Sequence, residues 1–215
     1  MLYQYLDGDN WRHIYIVGDL HGCRALLDEQ LLAVNFDTRR DLLVSVGDLI
    51  DRGPDSLACL RLLKEPWFRC VRGNHEEMAL AALTQGDEQL WQMNGGDWFW
   101  RLDGAQRAEA QACLMRCQEL PLIAHLVLDE QIVVVAHADY PASRYAWEQP
   151  IDEYEVVWGR DRIHRLQRGL GENIAGADAF YFGHTPLDNP VSGWNQHYID
   201  TGAVFGNRLT LVKIQ

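Results

Sequence analysis

Carboxylate, imidazole and amide side chains recur in this chain directly after short apolar runs, each time beside a glycine. Gly18-Asp19-Leu20-His21-Gly22 follows the apolar run 14–17, Gly47-Asp48-Leu49-Ile50-Asp51-Arg52-Gly53 follows 42–46, and Gly73-Asn74-His75-Glu76 follows 68–71. These groups, with no thiolate among them, suit manganese, iron or zinc better than copper or an iron-sulfur cluster. Asp19 and His21 are two residues apart at a strand end, so both can face one cation. The two oxygens of Asp48 suit it to bridge a pair of cations about 3.5 to 4 Å apart, the spacing of dinuclear hydrolytic centres.

Something must bring these residues together. A continuous apolar run bounded by glycine reads as a strand covered on both faces, and here each is followed by a helical pattern. Strands are predicted at 14–17, 41–47 and 67–71, and helices at 24–34, 55–64 and 75–83. In such α/β sheets ligands bind beyond the carboxyl ends of the strands, which is where all three polar clusters fall. A hairpin is predicted from 122–128 and 131–136, and later strands at 179–182, 197–199 and 209–214. Between residues 84 and 119 the alternation breaks into Trp91, Met93, Asn94-Gly95-Gly96-Asp97-Trp98 and a Gln/Ala/Glu-rich helix, which predicts an insertion or cap on a single domain spanning 1–215.

Composition narrows the partners. The 215 residues are 47% hydrophobic, enough for one globular domain with a sizeable core. A net charge of -12 argues against nucleic-acid and membrane surfaces, which use Lys/Arg-rich faces. An acidic shell also repels phosphate, so any phosphate site here must be locally cationic. The first residues lack a signal-peptide pattern, and no run reaches the ~18 apolar residues a membrane helix requires. A cytoplasmic protein is expected. The five cysteines lie in periodic segments without metal-ligand spacing and are read as reduced, packed thiols, with Cys113 and Cys117 one helical turn apart.

The three clusters resemble the signature of the PPP-type serine/threonine phosphatases of the metallophosphoesterase superfamily. Val135-Ala136-His137-Ala138-Asp139 and Phe182-Gly183-His184-Thr185-Pro186 resemble its two remaining histidine motifs, in the same order. The compact length and Tyr198-Ile199-Asp200-Thr201-Gly202-Ala203-Val204-Phe205 are most similar to the bacterial and phage branch. The resemblance implies a two-sheet calcineurin-like α/β sandwich flanked by helices, with metals where the strands end. It implies Asp19, His21 and Asp48 on one divalent ion and Asp48, Asn74, His137 and His184 on a second. Manganese is the expected activator, with iron or zinc as alternatives. Residues 94–98 resemble a segment near the substrate side of the bacterial enzymes; an aromatic core turn is the equal alternative.

Two cations over two aspartates leave a positive surplus that attracts a phosphate dianion and activates a bridging water for in-line attack, so neither a phosphoenzyme nor a cysteine nucleophile is required. The alkoxide of phosphoserine leaves poorly, which calls for a proton donor worth about a hundredfold or more. His75 fits that role, with Asp51 to orient it; the resemblance implies Arg52, inside its matched motif, and Arg160, in the family-like Val156-Val157-Trp158-Gly159-Arg160, as phosphate clamps, a role to which the planar guanidinium is suited, although Arg162 could stand in for Arg160. Glu76 is read as a first-turn helix charge, while Asp139, Tyr140 and Asp200 are left between a supporting role and ordinary packing. His13, His125, His164 and His197 are read as structural.

These features predict a metal-dependent phosphatase, expected as a monomer in signal transduction, acting on phosphoserine and phosphothreonine in proteins and on phosphotyrosine as an extension. Dinucleoside polyphosphate hydrolases of the same superfamily are the rival; those known tend to lack an aspartate at the Asp51 position. A binding module that has lost catalysis is the third reading, opposed by the intact ligand set.

Overall fold

In the computed structural model, which describes residues 2–215, ten strands form two sheets. They are β1 (Tyr3–Asp7), β2 (His13–Val17), β3 (Asp41–Ser45), β4 (Phe68–Cys70), β5 (Ile123–Leu128), β6 (Gln131–Ala136), β7 (Ala179–Phe182), β8 (Val191–Gly193), β9 (Gln196–Tyr198) and β10 (Leu211–Lys213). One sheet has the order β10-β2-β3-β4 and the other β1-β5-β6-β7-β9-β8. β2, β3 and β4 run parallel, as do β6, β7 and β9.

The side-chain period of two explains why the central strands read as unbroken apolar runs. Ile14, Ile16, Leu42, Val44 and Val46 face the second sheet and pack with Leu126, Val133, Val135 and Ile199. Tyr15, Val17 and Leu43 face the other way, into a layer of helices. That layer holds α1 (Arg24–Ala33), α2 (Ser56–Arg61), α3 (Asn74–Gln85) and α6 (Gly104–Arg116), with Leu27, Leu57, Leu60, Met78 and Leu114 in its core. The outer face of the second sheet, with Val134, Phe180 and Phe182, packs under α7 (Glu153–Trp158) and α8 (Asp161–Gln167) through Val156, Val157 and Ile163. Leu27 is fully buried, and truncating such a leucine to alanine costs about 2 to 5 kcal/mol.

Between α3 and α6 the chain makes α4 (Glu88–Trp91), a π-helical turn (Gln92–Gly96) and α5 (Trp98–Arg101). Trp91, Phe99, Ala110 and Cys113 belong to the same core as the first sheet's helices.

The two-sheet sandwich, the three early strand-helix pairs and the hairpin match expectation. β3 ends at Ser45, short of the predicted 47, because Gly47 turns the chain at φ 103°. The edge strands β1 and β8 and the helices α4, α5, α7 and α8 have no counterpart in the predicted elements. β1 begins Tyr-Gln-Tyr, and its pairing partner, β5, is remote in sequence. All five cysteines are free and buried, as expected.

Candidate functional site

Both sheets deliver strand ends to one edge. Asp19 and His21 follow β2, Asp48 follows β3, Asn74 opens α3 after β4, His137 follows β6, and His184 follows β7. All six are buried. Tight backbone packing makes this possible. At Gly47 a Cβ would lie 2.9 Å from both the Gly73 nitrogen and His137 Nδ1, and at Gly183 it would collide with an oxygen of Asp19. The turns are also strained. His21, Asp48, Asp51, Arg52 and His184 all have φ between 40° and 75°, a region that β-carbons disfavour, and such strain concentrates where function demands it.

Two groups of donor atoms result. Those of His21, Asp48 and His75 lie within 4.8 Å of one another, as do those of Asp48, His137 and His184. Asp48 serves both, with Oδ2 3.6 Å from His21 Nε2 and Oδ1 3.4 Å from His137 Nε2. Asn74 Oδ1 joins the second group, 3.0 Å from His137 Nε2 and 2.9 Å from His184 Nδ1. Asp19 joins neither; its oxygens accept the His184 backbone N–H at 3.2 and 3.0 Å. His75, read from the sequence as the proton donor, supplies the third atom of the first group.

The protonation pattern suits cations. His21 donates Nδ1–H to Ile50 O at 2.8 Å, and His137 donates Nδ1–H to Val46 O at 2.7 Å, so each turns a bare Nε2 inward. For His137 that lone pair meets the Asn74 amide oxygen, another acceptor. His184 Nε2 has no hydrogen-bond partner among the described residues. At His21 a guanidinium stands in for a cation, Arg52 donating an N–H to Nε2 at 2.6 Å. Burial lowers His21 to about 3 and, with the neighbouring His137, lowers His184 to about 2, keeping both imidazoles neutral and able to ligate. Burial together with Asp200 and Asp48 pushes the Asp19 carboxyl well above its ordinary range, as expected of crowded carboxylates awaiting positive charge. The donor set therefore fits two divalent ions.

A second constellation abuts the first. His75 donates Nδ1–H to Asp51 Oδ2 at 2.6 Å. Burial opposes charge on His75, but Asp48 and the Asp51 hydrogen bond outweigh it and raise the imidazole above its usual value. Trp91 donates its indole N–H to both Asp51 oxygens at 2.9 and 3.0 Å, and Trp98 donates to Oδ1 at 2.7 Å. The Arg52 backbone N–H is held by Gly95 O at 3.2 Å. A cleft of about 520 Å³ lined by Arg52, Trp98 and Arg101 opens alongside.

Arg160 is exposed at the start of α8, where its charge reinforces the neutrality of His184. Arg162 is committed elsewhere. It donates to Asp139 Oδ1 at 3.1 Å and to the carbonyls of Tyr140 and Ala142 at 2.9 and 3.1 Å, so Asp139 anchors α8. Asp200 is buried and caps the Gly202 N–H at 2.9 Å, and burial lifts its carboxyl to about 6.

Three residues escape sequence reasoning. Glu76 lies in the first turn of α3, as read, yet it is fully buried and accepts N–H groups from Asp48 (3.0 Å), Leu49 (2.8 Å) and Gly73 (2.9 Å), clamping two strand-end loops together. Burial and the nearby Asp48 raise its carboxyl to about 7. Its place directly after Asn74-His75 was the available signal. Trp91 carried no signal beyond an aromatic cluster, and Trp98 only its place in the 94–98 segment that resembles one near the substrate side; their partner Asp51 lies 40 and 47 positions away.

A model of the calcineurin-like phosphoesterase family matches residues 12–188. A serine/threonine-protein phosphatase 1 of Salmonella typhimurium is 52% identical over 214 residues, covering 100% of this chain and 97% of that protein. A serine/threonine-protein phosphatase 2 of Escherichia coli is 45% identical, covering 99% and 98%. Among solved structures, a candidate diadenosine tetraphosphatase superposes with a TM-score of 0.72 at 27% identity, covering 99% of this chain and 93% of that one.

Proposed function

The chain belongs to the calcineurin-like phosphoesterase family, and from that premise we propose that it hydrolyses phosphoserine and phosphothreonine in proteins, with phosphotyrosine as a further substrate. It is a hydrolase, a metal-dependent phosphatase. The observation that carries the substrate class is the buried His75–Asp51 pair, 2.6 Å apart, set against the donor clusters. An imidazole so held keeps its Nδ1–H donated to Asp51 and presents Nε2–H to a leaving oxygen, which a serine alkoxide needs and a good leaving group does not. Full-length similarity to two bacterial serine/threonine-protein phosphatases supports the same reading.

Asp19, His21 and Asp48 would hold one divalent ion, and Asp48, Asn74, His137 and His184 the other, with manganese as the expected activating metal. When bound, such a pair supplies Lewis acidity and a water acidic enough to ionise near neutral pH. The protein contributes the rest. Nδ1–H bonds to Ile50 and Val46 fix the tautomers of His21 and His137. Arg52 turns its planar fork from His21 Nε2 to the phosphate oxygens, and exposed Arg160 grips them from α8. The Phe205 ring centroid lies 5.7 Å from the Arg52 guanidinium carbon, a cation–π contact at the mouth of the site. Every cysteine is packed away, so none serves as nucleophile.

The helical segment 84–119 is an insertion on a single catalytic domain. The chain acts as a monomer in signalling in the cytoplasm, a reducing setting that suits five free buried thiols. No helix among the described residues is long and apolar enough to cross a membrane.

The test is phosphate release from a phosphoserine peptide and from diadenosine tetraphosphate after chelation and manganese re-addition. Restored activity on the peptide is expected; activity confined to the dinucleotide would transfer the assignment to the polyphosphate hydrolases. His75→Asn should lower peptide turnover about a hundredfold and leave p-nitrophenyl phosphate far less affected. Equal losses would remove His75 as the acid.

A further inference from the structure

The carboxylate of Asp51 is fully buried and is met by three N–H donors: His75 Nδ1, Trp91 Nε1 and Trp98 Nε1. Two of the three come from the inserted segment, on either side of its π-helical turn. The backbone around Asp51 is strained, with Asp51 and Arg52 at φ of 75° and 68°, although the Gly53 N–H closes the turn from within on Asp51 O at 2.7 Å. The turn is restrained also from outside, by Ser56 Oγ accepting the Asp51 N–H at 2.9 Å and Gly95 O accepting the Arg52 N–H at 3.2 Å. Gly95 is at φ 99°, and a Cβ there would lie 2.8 Å from the Arg52 nitrogen, so the segment is fitted closely to the turn.

We propose that Trp91 and Trp98 are positioning residues for leaving-group protonation, their indole N–H groups clamping the Asp51 carboxylate so that its second oxygen stays on His75. This rests on the reading of His75 as proton donor. A carboxylate loses accuracy of aim when its other donors are removed, because it can rotate or admit water, and the imidazole it orients then samples unproductive directions. The insertion thereby governs how strongly the reaction depends on the leaving group, without touching the phosphate. The two indoles differ in accessibility: Trp91 is fully buried, whereas Trp98 is half-buried. Trp98→Phe therefore removes the donor with little loss of packing and is the variant of choice.

In the manganese-loaded protein, Trp98→Phe should lower the ratio of kcat on phosphoserine peptide to kcat on p-nitrophenyl phosphate by roughly tenfold, with KM for the peptide little changed. In a His75→Asn background the same substitution should change that ratio no further, because the residue through which it acts is gone. An unchanged ratio, or an equal further loss in the His75→Asn background, overturns the proposal and leaves Trp98 as packing. A readout independent of activity is the pair of indole 1H–15N resonances in the metal-free protein. Asp51→Asn should shift both and accelerate the exchange of at least the Trp98 proton; resonances that stay in place overturn the clamp. Should His75→Asn lower both substrates equally, the assignment of the acid fails, while the resonances still decide whether the indoles hold Asp51.

Discussion

The strand-end loops and the helical segment at 84–119 both reach the site, by opposite means. The loops at 18–22, 47–53 and 73–76 place their groups through backbone: glycines that allow close approach, left-handed turns, and Glu76 tying three N–H groups across two loops. The segment at 84–119, apart from the Gly95 carbonyl that holds the Arg52 N–H, acts through two long aromatic side chains that reach across to Asp51. Donor groups that converge on cations demand placement within fractions of an ångström, which rigid strand ends provide. Orienting a neighbouring carboxylate needs only donors of sufficient reach.

If that division holds, damage to the loops should abolish the chemistry. Asp48→Asn removes the carboxylate common to both clusters and should cost several kcal/mol of transition-state stabilisation, about a thousandfold or more in kcat. Titration calorimetry with manganese should then show fewer or weaker binding events. Near-normal turnover with two tight ions would end the idea of a shared carboxylate.

Glu76→Gln probes the backbone clamp without altering any donor atom of the clusters. It swaps an acceptor of three buried N–H groups for a weaker one and should destabilise the chelated protein by about 1 to 3 kcal/mol. That is a fall in Tm of roughly 2 to 12 °C in a melting scan, given about 2 to 4 °C per kcal/mol for a chain of this size. A melting temperature equal to that of the parent would show that the loops hold without it.

The mildest effect is expected at the opposite end of β3. There buried Asp41 accepts two hydrogen bonds from Arg12, at 2.8 and 2.5 Å, far from the loop that carries Asp48. Burial works against its charge, but Arg12 outweighs it and holds the carboxyl below its ordinary value. A depressed folded-state value means that this stabilisation is complete above the unfolded carboxylate pKa, ~4, and is lost as pH falls through the folded one. Asp41→Asn should flatten the acid limb of denaturant-derived stability below about pH 4 and leave turnover at neutral pH intact. An unchanged acid limb would show that the pair carries no pH dependence.

Much of the first region was legible before any coordinates. Gly-Asp and Gly-Asn after apolar runs state both the strand and its end, and parallel β2, β3 and β4 with β6, β7 and β9 bring those ends to one edge. What spacing could not convey was which groups meet. Asp19 was grouped with His21; here its oxygens accept the His184 N–H, while a nitrogen of His75 lies close to His21 and Asp48, and rotamer choice inside a buried cluster leaves no mark in the sequence. Arg160 and Arg162 were indistinguishable until Arg162 was found bound to Asp139. Strand β1 went unread because what stabilises it is its pairing with β5, remote in the chain. The indoles at 91 and 98 escaped for the same reason.

The convergence of both sheets on one edge also sets an order on biosynthesis. Asp19, His21, Asp48 and Asn74 leave the ribosome with the first sheet's parallel strands, well before His137 and His184 have been translated. Because Asp48 faces groups from both halves, a nascent chain can display the first group of donors while the second does not yet exist. Completion of both donor groups is thus a late event, one that follows the folding of β6 and β7, and a chain arrested before residue 184 lacks the last donor of the second group.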